Sequence, residues 1–456
     1  MGSAFRGIVA RHWALLTLLA VAGLYAPEPT AREDAAPPRP NILFILADDL
    51  GYGDIGANGN ALIDTPNIDT LADAGVRLSS FYAPANVCTP SRAGFLTGRY
   101  PVRMGLAKGV IRPHSEHGLG ADETTLASVL QSAGYRTAMV GKWHLGNRPP
   151  HWPTTHGFDS FLGVPYSNDM SPFPLYEGER VIEEEVEQST LTERYTDAAV
   201  AVIEAQDDRP FFLYLAHTFP HIPLAAGPPF RGRSEAGLYG DTVETIDWSL
   251  GRILEALGRT GQRDNTLILF SSDNGPWFEG AAGGARDRKG SSWEGAYRVP
   301  FIASWPAGLP GGRHSSEPVS GLDLLPTLAH LAGASVDGLA LDGRDIWPVL
   351  SKGGESPHEY LLFFNEDQIA AVRSGAWRLV LRSYYKSYDV PHAALGYPLL
   401  FDLARDPGEQ YSMAPDQPAV VARLLAIVER ERERLAVPPP PPFPPPPTGS
   451  KEPPAG

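Results

Sequence analysis

The stretch Ile42-Leu43-Phe44-Ile45-Leu46 has an apolar side chain at every position. Side chains alternate between the two faces of a strand, so a strand here must be covered on both sides. Shorter runs of the same kind recur at residues 137–140, 210–216, 266–270 and 299–305. Between them lie segments with helical periodicity at residues 121–133, 192–205, 242–257 and 322–331. The first of these sets Leu126, Val129 and Leu130 on one face and meets Gly134 as a stop signal. Doubly buried strands alternating with amphipathic helices predict an α/β domain: a mixed, mostly parallel sheet flanked by helices. After about residue 350 the rhythm changes. Short strand candidates at 360–365, 369–373, 377–381 and 399–402 are followed by one charged helix at 418–435, which predicts a small antiparallel sheet with a helix on it.

The 456 residues therefore divide into an N-terminal segment (1–36), a large domain (37–345), a small C-terminal α+β domain (346–436) and a Pro-rich tail (437–456). At the N-terminus, Arg6 and Arg11 precede an apolar run at residues 13–24. That run is short for a bilayer span and has the form of a signal-peptide core, with cleavage expected at about residues 26–36 and export to a periplasm or the medium. No later run is long enough to cross a membrane. The formal net charge of −15 argues against an extended nucleic-acid surface. The single cysteine, Cys88, allows no intrachain disulfide, which is unusual for an exported protein and compatible with a bacterial periplasm.

In open α/β sheets, ligands gather beyond the carboxyl ends of the strands. Asp48 and Asp49 follow the first apolar run, Lys142 and His144 the second, His217 and His221 the third, and Asp273 and Asn274 the fourth. Asp48, Asp49, Asp273 and Asn274 are hard oxygen donors, suited to Ca²⁺ or Mg²⁺ rather than Zn²⁺. On these residues alone, Asp48-Asp49 also reads as a solvated turn and Asp273-Asn274-Gly275 as a plain one. Pro90 is a good first-turn residue, so Cys88 is expected just before a helix N-terminus, beside N–H groups that favour anions. A buried structural cysteine and a thiol nucleophile paired with one of the histidines fit the same residues. The Gly-rich basic segment 283–292 is not a nucleotide loop, because Lys289-Gly290-Ser291 reverses the Gly-Lys-Ser/Thr order that such loops need.

Cys88-Thr89-Pro90-Ser91-Arg92, followed by Leu96-Thr97-Gly98-Arg99, resembles the signature of type I, formylglycine-dependent sulfatases, C-x-P-S-R-x-x-x-L-T-G-R. Further blocks occur in the family's order: Asp48-Asp49-Leu50-Gly51-Tyr52-Gly53-Asp54, Gly141-Lys142-Trp143-His144-Leu145-Gly146, Asp273-Asn274-Gly275, and Lys289-Gly290 with Glu294-Gly295. The likeness runs from about Asn41 to Asp416 and is strongest to the arylsulfatase A-like branch, from which the lack of disulfides departs.

The resemblance implies an alkaline-phosphatase-like fold and hydrolysis of sulfate monoesters, whether aryl sulfates or sulfated sugars and glycolipids. A separate formylglycine-generating enzyme would convert Cys88 to 3-oxoalanine, whose hydrate would attack sulfur and pass through a covalent sulfate intermediate. Asp48, Asp49, Asp273, Asn274 and residue 88 would hold the cation, Ca²⁺ or alternatively Mg²⁺. Arg92 would point back at the hydrate from one helical turn away. Lys142 and Lys289 would bind sulfate oxygens. His144 would be the base for release, and His221 would contact sulfate and protonate the leaving oxygen, with His217 as a rival. Ser167 would assist in holding the sulfate or the hydrate. Tyr166, Tyr176, Trp277 and Tyr384 are candidates to stack on a substrate ring. Two other functions fit the same blocks: a phosphonate monoester or phosphodiester hydrolase on this scaffold, and a non-catalytic binder of sulfated glycans.

Overall fold

The computed structural model describes residues 39–385 and 388–438. The expected signal segment and linker, the Pro-rich tail beyond Pro438 and the Tyr384 side chain lie outside the described residues.

A ten-stranded sheet runs through the large part of the chain. Across it the order is Arg313–Ser315, Val76–Leu78, Phe301–Ser304, Thr266–Ser272, Asn41–Ala47, Phe211–Ala216, Arg136–Lys142, Ser160–Val164, Leu175–Glu177 and Arg180–Glu183. The five strands from Thr266–Ser272 to Ser160–Val164 are parallel. Phe301–Ser304 returns antiparallel beside Thr266–Ser272, and the far wing is antiparallel too. All the apolar runs read from the sequence become strands of this sheet.

Alternation along the first strand explains the two layers of helices. Ile42, Phe44 and Leu46 point into one core, with Phe95, Leu126, Leu130, Leu324 and Leu328 from the helices Cys88–Thr97, Leu126–Ser132 and Leu324–Ala332. Leu43, Ile45 and Ala47 point into the other, against Pro66–Ala74, Leu191–Glu204 and Gly237–Arg259. The helix expected at 121–133 begins only at Leu126, because Thr125 Oγ1 accepts from the Ser128 N–H and Ser128 Oγ accepts from the Thr125 N–H, capping it there. Ser160–Val164 was not anticipated; it is short, starts exposed and carries Gly163, so it lacks a continuous apolar run.

The C-terminal sheet is antiparallel, in the order Leu361–Asn365, Gln368–Ser374, Trp377–Val380, Leu399–Asp402. One face takes Leu424, Ile427 and Val428 of the helix Pro418–Arg434. The other face, with Leu361, Phe363, Ala371, Val380 and Phe401, packs on Tyr82, Trp293, Ala296 and Tyr297 of the large part. No described helix is long and apolar enough to cross a membrane.

The central strand is close-packed through aromatic rings: Phe44 lies 5.5 Å from Tyr214 and 5.6 Å from Phe95, centroid to centroid. Phe44→Ala is expected to cost about 3–5 kcal/mol of stability. Urea unfolding checks this, and a loss under about 1 kcal/mol would mean that the site collapses around the missing ring.

Candidate active site

Parallel pairing sets Ala47 opposite Ser272, so the next residues of both strands, Asp48-Asp49 and Asp273-Asn274, emerge side by side. Two hydrogen bonds lock the junction: Asp273 N–H donates to the backbone Ala47 O at 3.1 Å, and Leu50 N–H to the side-chain Ser272 Oγ at 2.9 Å. Asp49 turns out of the strand with φ of 66°, a left-handed conformation that a non-glycine residue holds only when its surroundings enforce it. His144 does the same at φ of 61°, two residues past the end of Arg136–Lys142. Cys88 is the first residue of the helix Cys88–Thr97, one position further in than expected, and every residue of that helix is buried.

Ten of the eleven expected site residues are joined by short contacts. Lys142 Nζ donates to Asp48 Oδ2 and lies 3.1 Å from Ser167 Oγ. Arg92 reaches Asp273 Oδ2 with Nε and Nη2, both at 2.9 Å, lies 3.6 Å from Asp48, and donates from Nη1 to Lys142 O at 2.7 Å. Its guanidinium thus clamps two carboxylates, contacts that the sequence reading did not include. Lys289 Nζ is 2.6 Å from Asp49 Oδ1 and 3.2 Å from Cys88 Sγ. Asn274 Nδ2 donates to Asp49 Oδ1 at 2.8 Å. His221 Nε2 lies 3.7 Å from Asp49 Oδ2. His144, the eleventh, shares the cavity wall with Cys88. His217 does not join them: it is buried, neither ring nitrogen has a partner, and burial takes its pKa down to about 3.

These contacts set the charges. Burial alone would raise the pKa of Asp48, but Lys142, Arg92, His221 and Lys289 hold it well below the usual carboxylate range. Asp273 is pushed up by burial and by Asp48 against the pull of Arg92. Burial works against the charge of Lys289, yet Asp49 and its other acidic neighbours lift it well above an ordinary lysine. Burial, then Lys142 and Arg92, keep His144 neutral. Its Nε2 faces Ile111 O at 3.0 Å, and a carbonyl only accepts, so Nε2 carries the hydrogen and Nδ1 is left bare without a partner. His221 is also lowered by burial, with Asp49 opposing; its Nδ1 faces Asn168 Oδ1 at 3.0 Å, which turns Nε2 toward Asp49.

The donor set fits a metal ion. Asp48 Oδ1 and Asn274 Oδ1 are buried oxygens without any hydrogen-bond partner, a costly arrangement unless a cation takes them. One ligand atom from each of Asp48, Asp49, Cys88 and His221 falls within 4.8 Å of all the others. Above them opens a cavity of about 210 Å³, with Val110, Met170, Ile222 and Trp277 in its wall. Of the aromatic candidates, Trp277 lines the cavity, whereas Tyr166 donates to Pro172 O and Tyr176 packs on Trp152.

Residues 40–334 match the family described as Sulfatase, and residues 356–440 match the C-terminal region of aryl-sulfatase. The chain belongs to the sulfatase family. It is a hydrolase of sulfate esters with the arylsulfatase architecture. Arylsulfatase A of Bos taurus is 40% identical over 464 residues, covering 91% of this chain and 89% of the bovine protein. Arylsulfatase A of Homo sapiens is 40% identical over 423 residues, covering 82% and 83% respectively. A solved structure from work on the metabolism of multiple glycosaminoglycans by Bacteroides thetaiotaomicron superposes with a TM-score of 0.80 at 28% identity, covering 87% of this chain and all of that one.

The sequence reading missed Asn168, which orients His221, and Asn86, which donates to Ser291 O at 2.8 Å beside Lys289. Neither stands in a motif; both are neutral amides in loops, and only the fold brings them in.

Arg92→Ala strips two buried carboxylates of their shared cation. It is expected to destabilise the protein by about 3–5 kcal/mol, with Arg92→Lys recovering part of that. Thermal and urea unfolding of both variants check it; an unchanged stability in Arg92→Ala would show that Lys142 compensates alone.

Proposed function

We propose that this sulfatase cleaves sulfate monoesters with residue 88 as nucleophile, after conversion of Cys88 to formylglycine, and with a divalent cation held by Asp48, Asp49, Asp273, Asn274 and residue 88. The observation that carries the reading is the position of Lys289: its ammonium bridges Asp49 and the side chain of residue 88 at the floor of the cavity. An anion entering there meets one fixed positive charge beside both the nucleophile and the metal ligands. Oxygen donors favour Ca²⁺ over Zn²⁺, with Mg²⁺ as the alternative. When bound, the cation supplies neutralising charge for the sulfuryl oxygens and acidifies the attacking hydroxyl. The aldehyde hydrate supplies two hydroxyls on one carbon, one to attack sulfur and one to release it.

The remaining roles belong to side chains in place. Lys142 and Arg92 keep the buried Asp48 carboxylate ionised and ready for a cation, and Arg92 also holds Asp273 in place. With its amine bound to Asp48 and Ser167, Lys142 offers only its remaining hydrogen to a sulfate oxygen. His144 presents a bare Nδ1, the acceptor that a base needs to take the proton whose loss releases sulfate. His221, whose Nδ1–H is held by Asn168 Oδ1, turns Nε2 toward Asp49; only as the imidazolium, charged beside that carboxylate, does it carry an Nε2 proton to give to the leaving oxygen. Residues 1–36 serve as an export signal and linker, and a formylglycine-generating enzyme acts on the chain before it folds, because Cys88 is buried in the folded state.

The thiol itself is a poor nucleophile here. Burial pushes it up to about 12, so at pH 8 an unconverted Cys88 stays protonated. Iodoacetamide at pH 8 is therefore expected to label native, unconverted protein far more slowly than the urea-unfolded chain; equal rates would contradict the burial. The reading as a whole is tested by two measurements. The tryptic peptide containing residue 88 is expected at the mass of formylglycine, lighter than cysteine. Cys88→Ala is expected to abolish hydrolysis of an aryl sulfate, by about 10³-fold or more, with an unchanged circular dichroism spectrum. Retained turnover in that variant would refute the mechanism, and faster hydrolysis of the matching aryl phosphonate or phosphodiester would reassign the substrate.

A further inference from the structure

Lysine has a flexible four-carbon stem, so the position of its ammonium depends on how firmly its backbone is held. The Lys289 backbone lies in the long excursion between the strands Thr266–Ser272 and Phe301–Ser304. That loop is tied at successive peptides. Gly290 N–H donates to Asn86 O at 2.9 Å, and Asn86 Nδ2 donates to Ser291 O at 2.8 Å and to Asn365 Oδ1 at 3.1 Å. Arg378 Nη2 donates to Ser292 O at 2.8 Å. Glu294 N–H donates to Glu409 Oε2 at 2.8 Å, and Arg286 Nη1 donates to Glu409 O at 2.9 Å while stacking on Trp293 at 3.6 Å. Asn365, Arg378 and Glu409 all belong to the C-terminal part of the chain. Arg378 and Glu409 form an ion pair with no exposed surface, and Arg378 Nε lies 3.4 Å from Glu294 Oε1.

A buried ion pair is a weak source of stability, because desolvation offsets most of its attraction and apolar residues of equal volume do as well or better. Arg378 and Glu409 instead spend their remaining hydrogen-bonding capacity on the peptides that follow Lys289. We propose that they are positioning residues for Lys289, so that the C-terminal sheet sets the geometry of the sulfate-binding ammonium without touching substrate. This rests on the reading that Lys289 binds the sulfuryl group. Displacement by about 1 Å is enough to cost a large rate factor in a preorganised site.

A double-mutant cycle on the formylglycine-containing enzyme tests it, with nitrophenyl sulfate as substrate. Glu409→Gln removes the ion pair. Arg286→Ala, a change at an exposed residue, removes only the bond to Glu409 O and the stack on Trp293, and so keeps the test open if Glu409→Gln does not fold. Each is expected to lower kcat/KM about 10-fold in the parent enzyme and less than about 2-fold in a Lys289→Ala background. Equal losses in both backgrounds, as a general loss of structure would give, overturn the positioning role, as does parent-like activity in Glu409→Gln and Arg286→Ala. Full activity of Lys289→Ala itself would overturn the underlying sulfate-binding role, which separates the two failures.

Discussion

Everything at this site depends on one exchange of charge out of water. Asp48 and Asp273 are completely buried. Asp48 can remain a carboxylate only because Lys142 and Arg92 are buried with it, while Asp273 shares Arg92 and has its pKa pushed up by burial and by Asp48. Asp49, beside them, leans on Lys289. The cationic side chains and the carboxylates come from three separate strand ends, one helix and the loop that carries Lys289, so no single segment is stable in this form alone. The fold has to be complete before the charges balance, and the balanced charges in turn hold the strand ends in register. Two oxygens in this cluster, on Asp48 and Asn274, are left without hydrogen-bond partners, so the buried charges still leave donors that a cation could take.

Much of this was legible in the sequence, for a specific reason. A strand buried on both faces leaves no polar position until it ends, so Asp48-Asp49, Lys142, His144, His221 and Asp273-Asn274 stand out against the apolar runs that precede them. The parallel register then turns a series of chain positions into one rim. What escaped the reading has the opposite character. Ser160–Val164 and the short edge strands carry mixed polarity and owe their pairing to neighbours. Asn168 and Asn86 act through single hydrogen bonds that no spacing rule anticipates. Helical spacing places Arg92 one turn from Cys88 but does not record the two buried carboxylates that its guanidinium also meets.

The small C-terminal sheet looks peripheral in sequence, a run of short strands after the last motif. Its packing gives it a different standing. One face is covered by the helix Pro418–Arg434, while the other lies against the segment that follows Lys289, sharing Trp293 and Tyr297 in a common core. The two parts of the chain are therefore continuous at the level of side chains.

The antiparallel return of Phe301–Ser304 beside Thr266–Ser272 has a topological consequence. Had that neighbour been parallel, the chain leaving Asp273-Asn274 would have crossed to the opposite end of the sheet before pairing again, and Lys289 would have been carried away from the rim. Because the strand comes back instead, residues 273–300 leave and re-enter at the same edge. In connectivity they are the arc of one wide hairpin, whose feet are pinned by the sheet and whose span costs only a logarithm of its length to close. Such an arc can be lengthened or shortened between its anchored points at little thermodynamic expense, which makes the cavity mouth the part of this architecture freest to change while the charges beneath it stay where they are.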